Sequence, residues 1–290
     1  MKKARNIIAA FFFFIFLSCT AYIFVYLKDG YDNRKQMEQL KEKVCTYIEG
    51  EFNTKEQIST MEETEVDYSL LGERELKTGE VATVSVSESE SEEIIVKSIL
   101  PKYQKLYEEN TELSGWITID DTVIDYPVMH IPEDNNFYLN HNFYKEKDRY
   151  GSLFLDKSCN VLLPSTNYII YGHNMKDGSM FGDLMNYKEK SFYEQHNIIH
   201  FDTIYEVADY EIIAVFLSEV YNKNEDVFKY YQFTKVNNKD EFNEYIKNIK
   251  ELSLYEIDIT AVFGEQLLTL STCEYSTENG RLAIVAKKLQ

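Results

Sequence analysis

Residues 99–290 of this 290-residue sequence predict a mainly β fold, a mostly antiparallel β-barrel carrying a few helices. Three observations lead there. Short runs of alternating apolar and polar residues recur along the segment, as half-buried strands require. Helical spacing of apolar residues shows only near residues 99–110 and 240–252. The strand-like runs also follow one another without a helix between each pair, which does not fit alternating βαβ units.

The chain before residue 99 has a different character. After Lys2, Lys3 and Arg5 comes an uncharged apolar run from Ile7 to Leu27. As a helix this run would be about 31 Å long, enough to cross a bilayer. Its apolar core is longer than that of a secretory signal, and no small-x-small cleavage site follows it, so it reads as an uncleaved anchor. Phe16-Leu17-Ser18-Cys19 faintly resembles a lipoprotein processing site, but the apolar run continues past Cys19 where such a site should end. The positive charges precede the span, which predicts a cytoplasmic N-terminus (residues 1–6), an anchor over 7–27 and everything after Lys28 on the outside.

Residues 28–98 form the expected connection. From Tyr31 to Ile48, the residues Met37, Leu40, Val44, Tyr47 and Ile48 recur at helical spacing, which fits a short juxtamembrane helix or a solvated stalk. Residues 49–96 hold 14 acidic and three basic side chains, a net charge of −11 that leaves −8 of the chain's −19 for the rest. With Phe52 and Tyr68 as its only aromatics, that segment buries too little apolar surface to offset its ordering entropy and reads as a flexible tether. A coil of this length would span roughly 40 Å, holding the following domain close to the membrane.

The folded domain then begins with a helix over Ile99–Asn110. Strands are expected at Gly115–Ile119, Val123–Val128, Gly151–Leu155, Tyr168–Tyr171, Tyr210–Ser218, Leu267–Thr272 and Leu282–Ala286. A helix is expected at Asp240–Leu252, where Phe242, Tyr245, Ile246 and Ile249 share one face.

Composition excludes several function classes. The acidic balance offers no electrostatic footprint for nucleic acid. Cysteines at 19, 45, 159 and 273 are too few for a disulfide scaffold and lack the CxxC spacing of a zinc site. Cys45 and Cys159 could pair in an exported chain, but across the tether the bond would stabilise little, and free thiols are preferred. His196 and His200 have i, i+4 spacing but no acidic residue of the HExxH kind between them, and they are read with His130 and His141 as structural. No phosphate loop, dinucleotide fingerprint or calcium loop is present, so neither a cofactor nor a metal is expected.

The chemistry concentrates near the C-terminus. Leu268–Thr272 is a strand that delivers Cys273 at its end, and Arg281 opens the next strand eight residues later. Two strands joined by a short loop would bring thiol and guanidinium side by side. A nearby cation stabilises the thiolate, the nucleophilic form, and can also hold the oxyanion that develops when a thiol attacks a carbonyl. His173 follows the strand Tyr168–Tyr171 in a loop of Gly, Asn and Asp residues, where an imidazole could give a proton to a leaving amine and take one from an incoming amine. Taken singly, each residue also has an ordinary reading: a buried inert thiol, a solvated histidine, a surface arginine.

Together these residues resemble the sortases, membrane-anchored cysteine transpeptidases of Gram-positive bacteria. The likeness rests on Thr269-Leu270-Ser271-Thr272-Cys273, Arg281 and Tyr171-Gly172-His173-Asn174-Met175. Gly115-Trp116-Ile117, Ile124–Val128, Tyr138-Leu139, Gly151–Asp156 and Met180–Leu184 sit in the family's order. A helix before the barrel and another inserted before the cysteine strand are similar to class B members.

The resemblance implies a closed β-barrel over 99–290 and a peptidase-like reaction of the cysteine protease type. Cys273 would cleave a C-terminal sorting signal of NPxTx or xPxTG type after Thr, holding the secreted protein as a thioester. A peptidoglycan precursor or cross-bridge amine would then take the protein onto the cell wall. His173 would act as general acid and base and Arg281 would hold substrate and oxyanion, without cofactor or metal. It also implies a peptide pocket drawing on Asn135, Leu139, Tyr171, Ser271 and Glu274. The long acidic segment departs from class B relatives and is read as a spacer, and residues 219–234 match no pattern that would select the signal. Two alternatives stay open: a pilin polymerase that uses a protein lysine as acceptor, and an inactive tethered peptide-binding module.

Overall fold

The computed structural model describes the backbone of residues 2–61, 81–86 and 93–289, with side chains from 11–47 and 97–289. In chain order the elements are α1 (Lys2–Met61), β1 (Val81–Val86), β2 (Glu93–Ser98), α2 (Pro101–Glu109), β3 (Leu113–Thr118), β4 (Asp125–Met129), β5 (Leu153–Leu155) and β6 (Asn167–Gly172). They continue with α3 (Lys190–Gln195), β7 (Ile198–Thr203), β8 (Asp209–Glu219), α4 (Lys239–Leu252), β9 (Leu267–Cys273) and β10 (Gly280–Lys288).

Strands β3 to β10 close a barrel in the order β10-β8-β7-β3-β4-β5-β6-β9. Pairing is antiparallel except between β4 and β5 and between β6 and β9. Every expected strand is present. Their half-burial is not: β3, β4, β5, β6 and β9 are buried almost throughout because apolar side chains pack on both sides of the sheet, as in β10, where Leu282 and Ile284 join the barrel interior while Ala283 and Val285 face a second apolar cluster outside it.

That outer cluster explains why the middle of β8 is apolar on both faces. Helix α4 lays Phe242, Tyr245, Ile246 and Ile249 against the sheet, so Ile213 and Phe216 are buried from outside as Ile212 and Val215 are from within. The helix starts where the sequence signals it. The Asn238 side chain accepts from the Glu241 amide at 2.9 Å, and Asp240 and Glu241 occupy the positive first turn.

Strand β7 and helix α3 were not among the expected elements. Ile199, Phe201 and Thr203 of β7 alternate inward with period two, a legible strand signal. His196 ends α3 and His200 lies in β7, with Nδ1 of His200 2.7 Å from Asp209, so their i, i+4 spacing belongs to no helix face. All four cysteines are free.

Helix α1 is long and apolar enough in its first half to cross a membrane. Phe11 to Phe14, Tyr22 and Phe24 are exposed around it, as lipid-facing side chains would be. Beyond Leu27 it neither stops nor stands clear of the domain. Asn33, Met37 and Leu40 are buried, Val44 packs against the same core, and Lys43 pairs with Glu109 of α2 at 2.5 Å. The helix expected over Tyr31–Ile48 is thus a docked part of the domain. Of the expected tether, 62–80 and 87–92 lie outside the described residues; the backbone of 49–61 continues α1, and β1 pairs with β2 as an antiparallel hairpin.

Candidate active site

Three neighbouring strands end together and place the reactive side chains. In the β6–β9 pair Gly172 stands beside Thr272, so the next residues, His173 and Cys273, leave the barrel at the same point. In the β9–β10 pair Arg281 lies directly opposite Cys273. Side chains opposite each other in antiparallel strands have Cβ atoms about 4.5–5.5 Å apart, so Arg281 and Cys273 leave the sheet as neighbours and line the same cavity. All three are half-buried.

The histidine loop is tied down from several sides. Thr272 Oγ1 donates to the Gly172 carbonyl at 2.8 Å, and Asn174 Nδ2 donates to the Cys273 carbonyl at 2.9 Å. Gly172 is required because a Cβ there would lie 2.3 Å from Leu153 and 2.7 Å from Phe181. His173 Nε2 lies 2.7 Å from the Leu139 carbonyl. A carbonyl can only accept, so Nε2 carries the proton of that contact and Nδ1 is the nitrogen left for proton exchange. Arg281 Nη1 donates to the Gly280 carbonyl at 2.9 Å, which holds the guanidinium at the start of β10.

A cavity of about 360 Å³ opens over these residues. Of the positions proposed from sequence, Asn135, Leu139, Tyr171 and Ser271 line it together with His173, Cys273 and Arg281. Asn135 donates to Asp156 at 2.9 Å, and Tyr171, its phenol pushed up by burial and by Asp156, donates to the same carboxylate at 3.2 Å. Glu274 does not line the cavity. Its carboxylate turns to Lys188 at 2.5 Å and to Ser276, and the hydrogen bonds from these two pull it down to about 2.

Sequence reasoning missed Asn136, Phe154, Val220, Tyr230 and Tyr231, which also line the cavity. Tyr230 is buried, with its hydroxyl 2.7 Å from Ser271 Oγ, and burial pushes its phenol up to about 12. The aromatic cluster Phe228, Tyr230, Tyr231 and Phe233 was the available signal. A larger cavity, about 590 Å³, opens at the opposite barrel end by Ser165, Glu265 and Lys288; it holds no thiol and is the lesser candidate for chemistry.

Comparison with known proteins identifies the family. The sortase domain model matches residues 117–289. Sortase B of Listeria monocytogenes is 39% identical over 195 residues, 66% of this chain and 74% of that protein. Sortase B of Staphylococcus aureus is 31% identical over 191 residues, 65% and 75% of the two chains. Among solved structures, sortase B from Bacillus anthracis in complex with AAEK1 superposes with a TM-score of 0.59 at 34% identity, covering 72% of this chain and 90% of that one. The Staphylococcus aureus sortase B–substrate complex gives 0.59 at 30% identity, covering 66% and 86%. With a free thiol, an imidazole and a guanidinium converging at the barrel end within the matched region, the chain belongs to the sortase family, as a class B cysteine transpeptidase.

Proposed function

We propose that this transpeptidase cleaves a C-terminal sorting signal of secreted proteins after Thr and transfers them to a peptidoglycan amine on the outer face of the membrane. The observation that carries the reading is the meeting of Cys273, Arg281 and His173 at the mouth of one peptide-sized cavity.

The chemistry follows from the positions. His173 Nδ1 takes the thiol proton, and the Cys273 thiolate attacks the Thr carbonyl carbon. The oxygen gains the electron pair of the C=O double bond, and Arg281, opposite the thiol, offsets its charge. When the tetrahedral centre collapses the C–N bond breaks, His173 returns its proton to the departing amine, and a thioester remains. An incoming amine attacks the thioester carbon and gives its proton to His173. The C–S bond breaks and Cys273 leaves as the thiolate. Asn135, Leu139, Tyr171 and Ser271 would hold the signal peptide, with the Leu139 carbonyl also fixing the imidazole tautomer. Glu274, turned to Lys188, braces the β9–β10 turn instead.

Residues 7–27 within α1 supply the anchor, with residues 1–6 in the cytoplasm and the catalytic domain outside. The full chain in detergent, incubated with quenched peptides carrying NPxTx or xPxTG cores with and without an amine, tests the reading by mass spectrometry. Cleavage after Thr with a transient adduct on Cys273, absent in Cys273→Ala, is the expected result. Peptide binding without cleavage or adduct would overturn it in favour of a binding module. Transfer to a protein lysine in preference to a wall amine would make it a pilin polymerase.

A further inference from the structure

The loop that carries His173 touches the helix that leaves the membrane. Between His173 and Phe181 the chain folds back on itself: the Phe181 amide donates to the His173 carbonyl at 2.9 Å, and Asn174 bridges to Met180. Met180 is held there at φ 54°, a conformation costly for a non-glycine residue unless its surroundings impose it. Asp177 sits at the tip of this loop. Its carboxylate accepts from Ser179 Oγ at 2.6 Å within the loop, and from the Tyr150 hydroxyl at 3.0 Å outside it.

Tyr150 is 1% exposed, and α1 lies against its hydroxyl. A Cβ at Gly30 would lie 2.7 Å from the Tyr150 hydroxyl, so glycine permits the helix to approach this closely. Around that point Tyr26 stacks under the Arg149 guanidinium at 4.0 Å, Asp29 reaches Arg149 at 3.9 Å, and Arg34 reaches Asp177 itself at 3.8 Å. The contacts run from the last residues of the apolar span without a break onto the catalytic loop.

We propose that α1 is a working part of the catalytic domain: through Gly30, Tyr150 and Asp177 it braces the loop that positions His173 against Cys273. Asp177, Tyr150 and Gly30 are positioning residues, acting through the loop four residues from the imidazole. The brace also fixes how the site is presented to the membrane, because the same helix residues emerge from the span. This rests on the transpeptidase reading of Cys273 and His173 and adds to it a role for the segment that a flexible tether would not have.

The test uses the full chain in detergent. Tyr150→Phe keeps the ring and removes the donor to Asp177; Gly30→Leu drives a side chain into the Tyr150 hydroxyl. Lys43→Ala cuts the α1–α2 pair with Glu109, away from the His173 loop, and serves as the control. Misplacement of a catalytic group by even 1 Å costs up to about 10²-fold, so a partly loosened loop is expected to lower kcat about three- to tenfold in the first two variants. KM should stay within about twofold, and Lys43→Ala should match wild type, since binding residues are untouched. Alkylation of Cys273 by iodoacetamide, measured in the same proteins, reads the reactivity that His173 confers on the thiol without any peptide and should slow in parallel. Wild-type kcat and alkylation rates in both Tyr150→Phe and Gly30→Leu would overturn the proposal, as would an equal loss in Lys43→Ala. Slower alkylation in the variants of an enzyme that cleaves no test peptide would uphold the brace and overturn the substrate reading alone.

Discussion

Arg281 faces Cys273 as its direct cross-strand partner in the β9–β10 pair. The register fixes this relationship: a one-residue slip would turn Arg281 to the other face of the sheet. Thr272, Ser271 and Leu270 continue the same register against Leu282, Ala283 and Ile284, all buried, so a slip would also empty the core.

Arg281→Lys keeps the charge but loses the planar fork that can hold an oxyanion. Peptide cleavage is expected to fall about 10²-fold or more, largely in kcat, as for the loss of an oxyanion donor. Arg281→Ala should fall further, with thermal stability unchanged for both because the side chain is half-buried at a strand start. Steady-state kinetics alongside melting curves would separate the two effects.

Tyr230 and Ser271 share a buried hydrogen bond of 2.7 Å in the cavity wall. Tyr230→Phe leaves Ser271 Oγ without that partner and should cost about 1–3 kcal/mol. Ser271→Ala does the reverse, and the double variant should cost less than the two single losses added, which a double-mutant cycle of unfolding in denaturant would read.

Glu274 has its carboxyl drawn down to about 2 by hydrogen bonds from Lys188 and Ser276. A carboxylate whose folded pKa is below its unfolded value stabilises the fold above the unfolded value, and that stabilisation is lost as pH falls through the folded one. The contribution should therefore be full above about pH 4.5 and fade toward pH 2, the unfolded reference being an ordinary Glu. Glu274→Gln is expected to flatten the acid limb of melting temperature against pH in this window. An unchanged acid limb would show that the pair does not brace the turn beside Cys273.

Phe242 is fully buried between α4 and the outside of the barrel. Phe242→Ala should destabilise by about 3–5 kcal/mol through the cavity it leaves. Because α4 packs on β8, whereas Cys273, His173 and Arg281 lie at the ends of β9, β6 and β10, kcat at low temperature should change little for the folded fraction, a contrast that parallel melting and kinetics would show.

The strands of the barrel were legible as short apolar runs such as Leu282–Ala286, a local property, whereas the packing decided that Leu282 and Ile284 face inward and Ala283 and Val285 outward. Helix α4 was equally legible from Phe242, Tyr245, Ile246 and Ile249, and the reactive trio could be picked out because its residues close or open strands of recognisable pattern. Strand β7 carried a period-two alternation in Ile199, Phe201 and Thr203 that went unread, its His200 being weighed only for a metal-pair spacing with His196.

What the sequence by itself determined is the set of local periods, the apolar span and the chemistry available at Cys273, His173 and Arg281. Only the tertiary structure decided that Glu274 turns to Lys188, that Tyr230 and Tyr231 wall the cavity, and that α1 lies against Tyr150. The physical reason is range. A period of two or 3.6 is set by neighbouring backbone, whereas which side chain meets which across 100 residues depends on how closed strands and docked helices share one core.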